Sequence, residues 1–440
     1  MTTKVDKIKD YYKTYDYNSR RPVFVEPETL RQDQQDRLMK SDHFCMIPWI
    51  HIHGFPTGEA YPCCLGHMDH PIGNMRENSL EEIYNGDAYR TMRRNMLNDE
   101  PSKECVKCYE QEKNGFFSMR NSSNKHFGHH IDKVDTTLED GTHPEFKLIY
   151  WDIRFSNLCN FRCRSCGDIF SSNWAKEKIR NGWLPKDTPV IQYAGRHKMD
   201  IWEQAEEHMP YVEQVYFAGG EPLIMEEHYR ILKWLVDNER FDVKLIYNTN
   251  FSEMSYKDMD VIEYWKLFDS VSVGASLDGM GTRGEYIRKG QDWAQTERNR
   301  ERMLKVCPDV DFYISPTLSI MNSFHLPDFH RDWMDKGFLR AIDLNVNILQ
   351  GPEYYRIDML PQHMKERVKE KYLEHIALIE PDDHLTRATN GFKGATDFMM
   401  AEDNSHLLTK FKQVMADLDK FRDESFFDSF PELEEILHEV

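Results

Sequence analysis

The residue types best suited to metal chemistry in this 440-residue chain are its nine cysteines. Three lie together in Cys159-Asn-Phe-Arg-Cys163-Arg-Ser-Cys166, directly after a strand pattern. Thiolates on a loop that follows a strand can converge on one metal centre. Three protein ligands would leave one iron of a four-iron cluster open to a substrate or cofactor, whereas closed structural sites use four ligands. The spacing by itself also admits zinc, with a nearby histidine as fourth ligand. A second set is Cys45, then Gly58 after twelve residues and Cys63 after four more, followed by Cys105-Val-Lys-Cys108. Four thiolates from two separated pairs make a closed tetrahedral site suited to iron–sulfur or zinc. Cys64 is the spare thiol and could exchange with Cys63. His43, His51, His53, His67 and His70 lie nearby and read as surface or packing residues. Cys307 stands alone and reads as a small buried hydrophobe.

These residues need elements to hold them. Gly58, in Pro-Thr-Gly-Glu, predicts a hairpin that brings Cys45 and Cys63 together. Ser79-Leu-Glu-Glu82 predicts a capping box at a helix start, with Gly86 ending that helix. Strand patterns rich in Val, Ile, Tyr and Phe run over 147–155, 212–218, 243–248, 270–277, 311–319 and 342–349. Helical patterns near 171–180, 224–237, 257–267, 292–305 and 325–336 lie between them. Such alternation implies an α/β fold with a parallel sheet covered by helices. Periodicity does not choose between a barrel, a partial barrel and a doubly wound sheet. The expected divisions are a polar arm over 1–40, a cysteine-bearing unit over 41–125, a polar linker over 126–145, the α/β region over 146–352, and a helical, acidic segment over 353–440.

Composition narrows the function. The net charge is −19, from 56 Lys+Arg against 75 Asp+Glu, which argues against a generic nucleic-acid binder. The densest basic cluster, Arg90, Arg93 and Arg94, reads as a solvated helix face. No apolar run approaches the roughly 18 residues a membrane span needs, and the polar N-terminus lacks a secretory h-region. The expected location is cytoplasmic. In that setting an odd number of cysteines favours metal ligation or catalysis over disulfides.

The C-x3-C-x2-C segment resembles the signature of the radical S-adenosylmethionine (SAM) superfamily, and the resemblance continues downstream over about 200 residues. Gly219-Gly220-Glu221-Pro222 follows the second strand pattern, Asn248-Thr-Asn250 ends the third, and Ser276-Leu-Asp278-Gly279 ends the fourth. All lie at C-terminal strand ends, where parallel α/β folds place active sites. The resemblance implies a partial (β/α)6 TIM-like barrel whose [4Fe-4S] cluster is held by Cys159, Cys163 and Cys166. It implies that Gly219, Gly220 and Glu221 hold the SAM amino group, with Pro222 among the cofactor-binding residues and Ser276 and Asp278 near the ribose. Arg288 would pair with the carboxylate, and Asn248 is a further contact or a strand-end cap. It also implies reductive cleavage to a 5′-deoxyadenosyl radical that abstracts hydrogen. A flavodoxin- or ferredoxin-like electron donor is expected. One departure stands out: Ser165 precedes the third cysteine where the family usually has an aromatic residue, so adenine contacts would come from elsewhere. Residues 41–118 resemble the twitch domain, the shorter relative of the SPASM domain, which binds an auxiliary four-iron cluster. The implied ligands are Cys45, Cys63, Cys105 and Cys108. Relatives usually carry that domain after the barrel, and here it precedes it. Families with this pairing often modify peptides or protein side chains, and some oxidise small polyols. The competing reading is a non-catalytic iron–sulfur or zinc-binding scaffold.

Overall fold

The computed structural model describes residues 29–115 and 117–438. Most of the expected N-terminal arm, residues 1–28, lies outside the described residues. Among the described residues the first element is the helix Gln32–Met39.

The expected alternation of strands and helices is present, with twelve strands among the described residues. They are β1 (His51–Gly54), β2 (Glu59–Tyr61), β3 (Gly73–Asn74), β4 (Tyr150–Ile153), β5 (Gln214–Phe217), β6 (Lys244–Thr249), β7 (Ser255–Tyr256), β8 (Met259–Asp260), β9 (Val271–Ala275), β10 (Asp311–Ile314), β11 (Thr317–Leu318) and β12 (Asn347–Ile348). Eight form one sheet in the order β10-β9-β6-β5-β4-β1-β2-β3. The pairs β1–β4, β4–β5 and β9–β10 are parallel, and β1–β2 and β2–β3 are antiparallel. Parallel pairing requires crossover connections, and helices such as Ser172–Arg180, Glu226–Asp237 and Trp293–Val306 supply them. The C-terminal part is helical, over Gln362–Ile379, Arg387–Ala401 and Leu408–Arg422.

Two compact units are distinguishable. One comprises Met1–Leu158, Ile191–Ile246 and Leu267–Val271; the other comprises Cys159–Val190, Tyr247–Lys266 and Ser272–Val440.

In the first unit the hairpin turns where the sequence places it. Gly58 adopts φ +104°, a conformation that favours glycine, and β1 pairs back onto β2. β1 also pairs in parallel with β4, a neighbour that the strand patterns do not announce. His51 pairs with Tyr150 and His53 with Asp152 across that ladder. The cysteine-bearing segment therefore adds its hairpin to the main sheet. The capping box forms as expected: Glu82 N–H donates to Ser79 Oγ at 3.1 Å, and Ser79 N–H donates to Glu82 Oε2 at 2.8 Å. The helix runs Leu80–Tyr84 and ends at Asn85; Gly86 is the N-cap of the next helix, Asp87–Leu97.

Arg93 departs from the solvated reading of its cluster, whereas Arg94 is exposed and Arg90 half-buried. Arg93 is fully buried. Its guanidinium donates to Pro48 O at 2.8 Å and Tyr84 O at 2.9 Å, and stacks 4.2 Å from the Tyr84 ring. A fork with five donors can satisfy several carbonyls at once, which is how a buried arginine is tolerated. The span 126–145, expected as a linker, contains a 3-10 helix at Gly128–Thr136.

Candidate functional site

The first unit holds the four thiols of the N-terminal set. Cys45, Cys63, Cys105 and Cys108 line one recess, together with Met92, Met96 and Arg120. Cys45 comes from the segment before β1 and Cys63 from the end of the hairpin. Cys105 and Cys108 flank the start of the helix Val106–Lys113. Arg120 braces the floor. It pairs with Glu112 and donates to Ser41 O at 3.0 Å and Phe44 O at 2.9 Å. Burial pushes the Cys45 thiol up to about 12 and raises Cys63, Cys105 and Cys108. Proximity of the other thiols adds to the rise at Cys45, Cys63 and Cys105. Four like groups that resist ionisation together fit a site where metal supplies the compensating positive charge.

Four thiolates lining one recess make a donor set suited to an iron–sulfur cluster or to zinc. Cys64 does not line that recess. Its thiol is raised to about 12 by burial, then by Asp152, with Arg154 opposing.

Near Cys64 the same unit carries a buried polar group that sequence reasoning missed. His53 and Asp152 are fully buried and lie 2.9 Å apart. His51 is also fully buried, its Nδ1 2.8 Å from Tyr150 O. Burial would raise the Asp152 carboxyl; His53 and Arg154 outweigh it and hold Asp152 below the usual range. The alternation of His51 and His53 around the apolar Ile52 was the available signal.

The Gly219-Gly220-Glu221-Pro222 turn follows β5 and packs on the segment after β4. Gly219 has φ +120°. A Cβ at Gly220 would lie 2.2 Å from Leu158 O, so only glycine fits. Glu221 N–H donates to that same carbonyl at 2.8 Å, and Leu223 N–H donates to Glu221 Oε1 at 3.0 Å. Glu221 and Pro222 are buried.

The second unit holds the loop of Cys159, Cys163 and Cys166. Its backbone is pinned at several points. Cys159 N–H donates to Ser172 Oγ at 3.2 Å, and Trp174 Nε1–H donates to Cys163 O at 2.6 Å. Arg162 N–H donates to Lys289 O and Arg164 N–H to Ile287 O, at 2.9 and 2.8 Å. The segment on either side of Arg288 therefore runs beside the cysteine loop. The Arg288 guanidinium is buried, 3.8 Å from Cys163 Sγ and 2.8 Å from Asp278. Burial pushes the Cys163 thiol up to about 12, with Arg288 opposing. Asp278 also accepts from Thr317 N–H at 2.8 Å, and its carbonyl accepts from Asn322 Nδ2 at 2.9 Å. Cys163, Asp278 and Arg288 are thus brought together. Asn248 Oδ1 is close enough to β9 that a Cβ at Gly274 would lie 2.7 Å away. Ser276 N–H closes onto Thr249 O at 2.7 Å.

Sequence reasoning also missed what holds this loop from outside. Arg164, between the second and third cysteines, is buried. It reaches Asp419 at 2.6 Å and Glu424 at 2.7 Å, and its guanidinium lies 3.7 Å from the Tyr286 ring. Arg422 pairs with Glu177 at 2.7 Å and donates to Arg162 O at 3.0 Å. The acidic C-terminal segment therefore supplies counter-charges to the cysteine loop.

No curated protein matches the chain. Among solved structures, native anSMEcpe with bound AdoMet and Cp18Cys peptide is 16% identical, with a TM-score of 0.30 over 53% of this chain and 58% of that one. Streptococcus suis SuiB bound to S-adenosylmethionine is 13% identical, with a TM-score of 0.31 over 67% and 62%. The same SuiB bound to precursor peptide SuiA is 15% identical, with a TM-score of 0.31 over 63% and 59%. The chain spans about three fifths of the length of these structures. A protein-family model described as an iron–sulfur cluster-binding domain, SPASM, matches residues 45–109. That match spans Cys45, Cys63, Cys105 and Cys108, the four thiols that line the recess.

Proposed function

We propose that the protein is a radical SAM enzyme, with a SAM-binding [4Fe-4S] cluster on Cys159, Cys163 and Cys166 and an auxiliary cluster on Cys45, Cys63, Cys105 and Cys108. The observation that carries the reading is the contrast in ligand number. Four thiols share one recess in the SPASM segment, while three stand on a pinned loop beside the buried Arg288–Asp278 pair. When bound, the three-cysteine cluster would supply the electron that cleaves SAM to a 5′-deoxyadenosyl radical, which abstracts hydrogen from the substrate.

The chain's own residues divide the work of holding SAM. Gly219 and Gly220 keep the turn after β5 free of side chains. The Glu221 backbone and carboxylate lock that turn, and Pro222 closes it. Asp278 orients Arg288 and neutralises it while SAM is absent. An arginine fork suits a carboxylate, so Arg288 is the group assigned to the SAM carboxylate. Ser276 and Asn248 stand at the ends of β9 and β6 and are assigned to the nucleoside. The substrate class favoured by the family resemblance is a peptide or protein side chain, with electrons supplied by a reduced flavodoxin- or ferredoxin-like donor. The protein is placed in the cytoplasm, where thiols stay reduced.

The test is iron and sulfide content after purification without oxygen. Wild type is expected to hold about eight irons per chain, falling to about four in the triple Cys159, Cys163 and Cys166→Ala variant. Zinc in place of iron at both sets would favour the scaffold reading instead.

A further inference from the structure

Away from the cysteines, two histidines and a glutamate of the first unit converge on one point. Glu213 immediately precedes β5. Its N–H donates to Ile149 O and its carbonyl accepts from Lys244 N–H, each at 2.9 Å, so its backbone is fixed within the sheet. His129 and His130 are neighbours on the 3-10 helix Gly128–Thr136. His129 Nε2 lies 2.8 Å from one Glu213 oxygen and His130 Nε2 lies 2.9 Å from the other. Their rings are 4.0 Å apart. One donor atom from each of the three residues lies within 4.8 Å of the others, the one such group among the described residues.

We propose that His129, His130 and Glu213 bind a single divalent transition-metal ion of the zinc class, with water completing the coordination. Two imidazole nitrogens and a carboxylate oxygen are borderline ligands that suit Zn²⁺, Co²⁺ or Ni²⁺ rather than Mg²⁺ or Ca²⁺. Zn–N and Zn–O bonds of about 2.0–2.1 Å in a tetrahedron put ligand atoms about 3.3–3.4 Å apart. The present 2.8 and 2.9 Å separations need to open by about half an ångström, within reach of side-chain rotation. All three side chains are partly exposed, at 24%, 19% and 32%, which leaves a path for a hydrated ion and room for its remaining waters. The site stands at the start of β5, whereas Gly219–Glu221 follow its end. The start of a parallel strand is the end opposite to where such folds place catalysis, so the role assigned to the ion is structural. The ion would fasten the 3-10 helix to the sheet.

The alternative is a hydrogen-bonded His–Glu–His group that binds nothing. The test uses the full chain with its clusters loaded, under anaerobic conditions, so that the cluster cysteines are occupied. Co²⁺ is titrated in and its ligand-field absorption recorded. Wild type is expected to bind one Co²⁺ per chain without sulfur-to-cobalt charge transfer. Glu213→Gln, which keeps a hydrogen-bonding side chain, should weaken binding about tenfold or more, and the His129→Ala/His130→Ala double variant should abolish it with iron content unchanged. Absence of Co²⁺ binding in wild type would overturn the proposal. So would equal binding by Glu213→Gln, or thiolate charge transfer in the cobalt spectrum.

Discussion

The two cysteine sets are built differently. The four-thiol recess is enclosed by local structure: a hairpin turned at Gly58, a helix that begins between Cys105 and Cys108, and Arg120 bonded to Glu112, Ser41 and Phe44. The three-thiol loop is held by charges from far along the chain. Arg164 meets carboxylates 255 and 260 residues away. On the proposed reading, the difference matches what each site would have to do. A closed site needs only to keep its ligands converged. A loop that leaves one metal position open must be fixed by groups other than ligands, or it would collapse to satisfy the metal.

The comparison can be broken by swapping losses between the sites, taken here from the largest expected effect to the smallest. Cys63→Ala should cost the auxiliary cluster, about four irons, and spare the three-cysteine cluster; Cys64→Ala should leave iron content unchanged, because Cys64 lies off the recess. Iron analysis of both variants decides it, and loss of iron only in Cys64→Ala would reassign the ligand. Asp278→Asn leaves Arg288 buried without a counter-charge beside Cys163. Breaking a buried pair from one side costs about 3–5 kcal/mol, so denaturant unfolding should show a large loss and SAM binding should fall. A variant as stable as wild type would mean the pair is not buried as described.

Smaller effects sharpen the contrast. Asp419→Asn with Glu424→Gln removes both carboxylates facing Arg164. Hydrogen exchange over 159–166 should quicken, while exchange over 105–113 stays unchanged. Equal acceleration at both sites would mean that the C-terminal segment stabilises the whole chain and not this loop. The smallest change is Ser79→Ala, which removes a helix cap and costs about 1 kcal/mol. Thermal unfolding should register it without loss of iron from either set.

Much of this was legible in the sequence because it is local. The cysteine spacings, the Gly58 turn and the Ser79–Glu82 box each depend on residues a few positions apart. The six strand patterns all contain or border strands: 147–155 holds β4, 212–218 holds β5, and 342–349 holds β12. What stayed hidden depends on distant pairing. Nothing near His51 announces that β1 will lie beside β4, about a hundred residues later. Arg93 looked like part of a charged helix face because its partners are backbone carbonyls, which leave no sequence mark. Asp419 and Glu424 looked like members of an acidic tail until Arg164 was found between them. The buried His53–Asp152 pair was hidden for the same reason: each residue alone reads as polar surface or packing.

The most direct test of the account is 5′-deoxyadenosine formation. The anaerobically loaded protein is mixed with SAM and a strong reductant, and product is measured for wild type, for the triple Cys159, Cys163 and Cys166→Ala variant, and for the quadruple Cys45, Cys63, Cys105 and Cys108→Ala variant. The account predicts 5′-deoxyadenosine from wild type, none above background from the triple variant, and retained cleavage from any quadruple variant that folds. No product from iron-loaded wild type, or equal product from wild type and the triple variant, would contradict it.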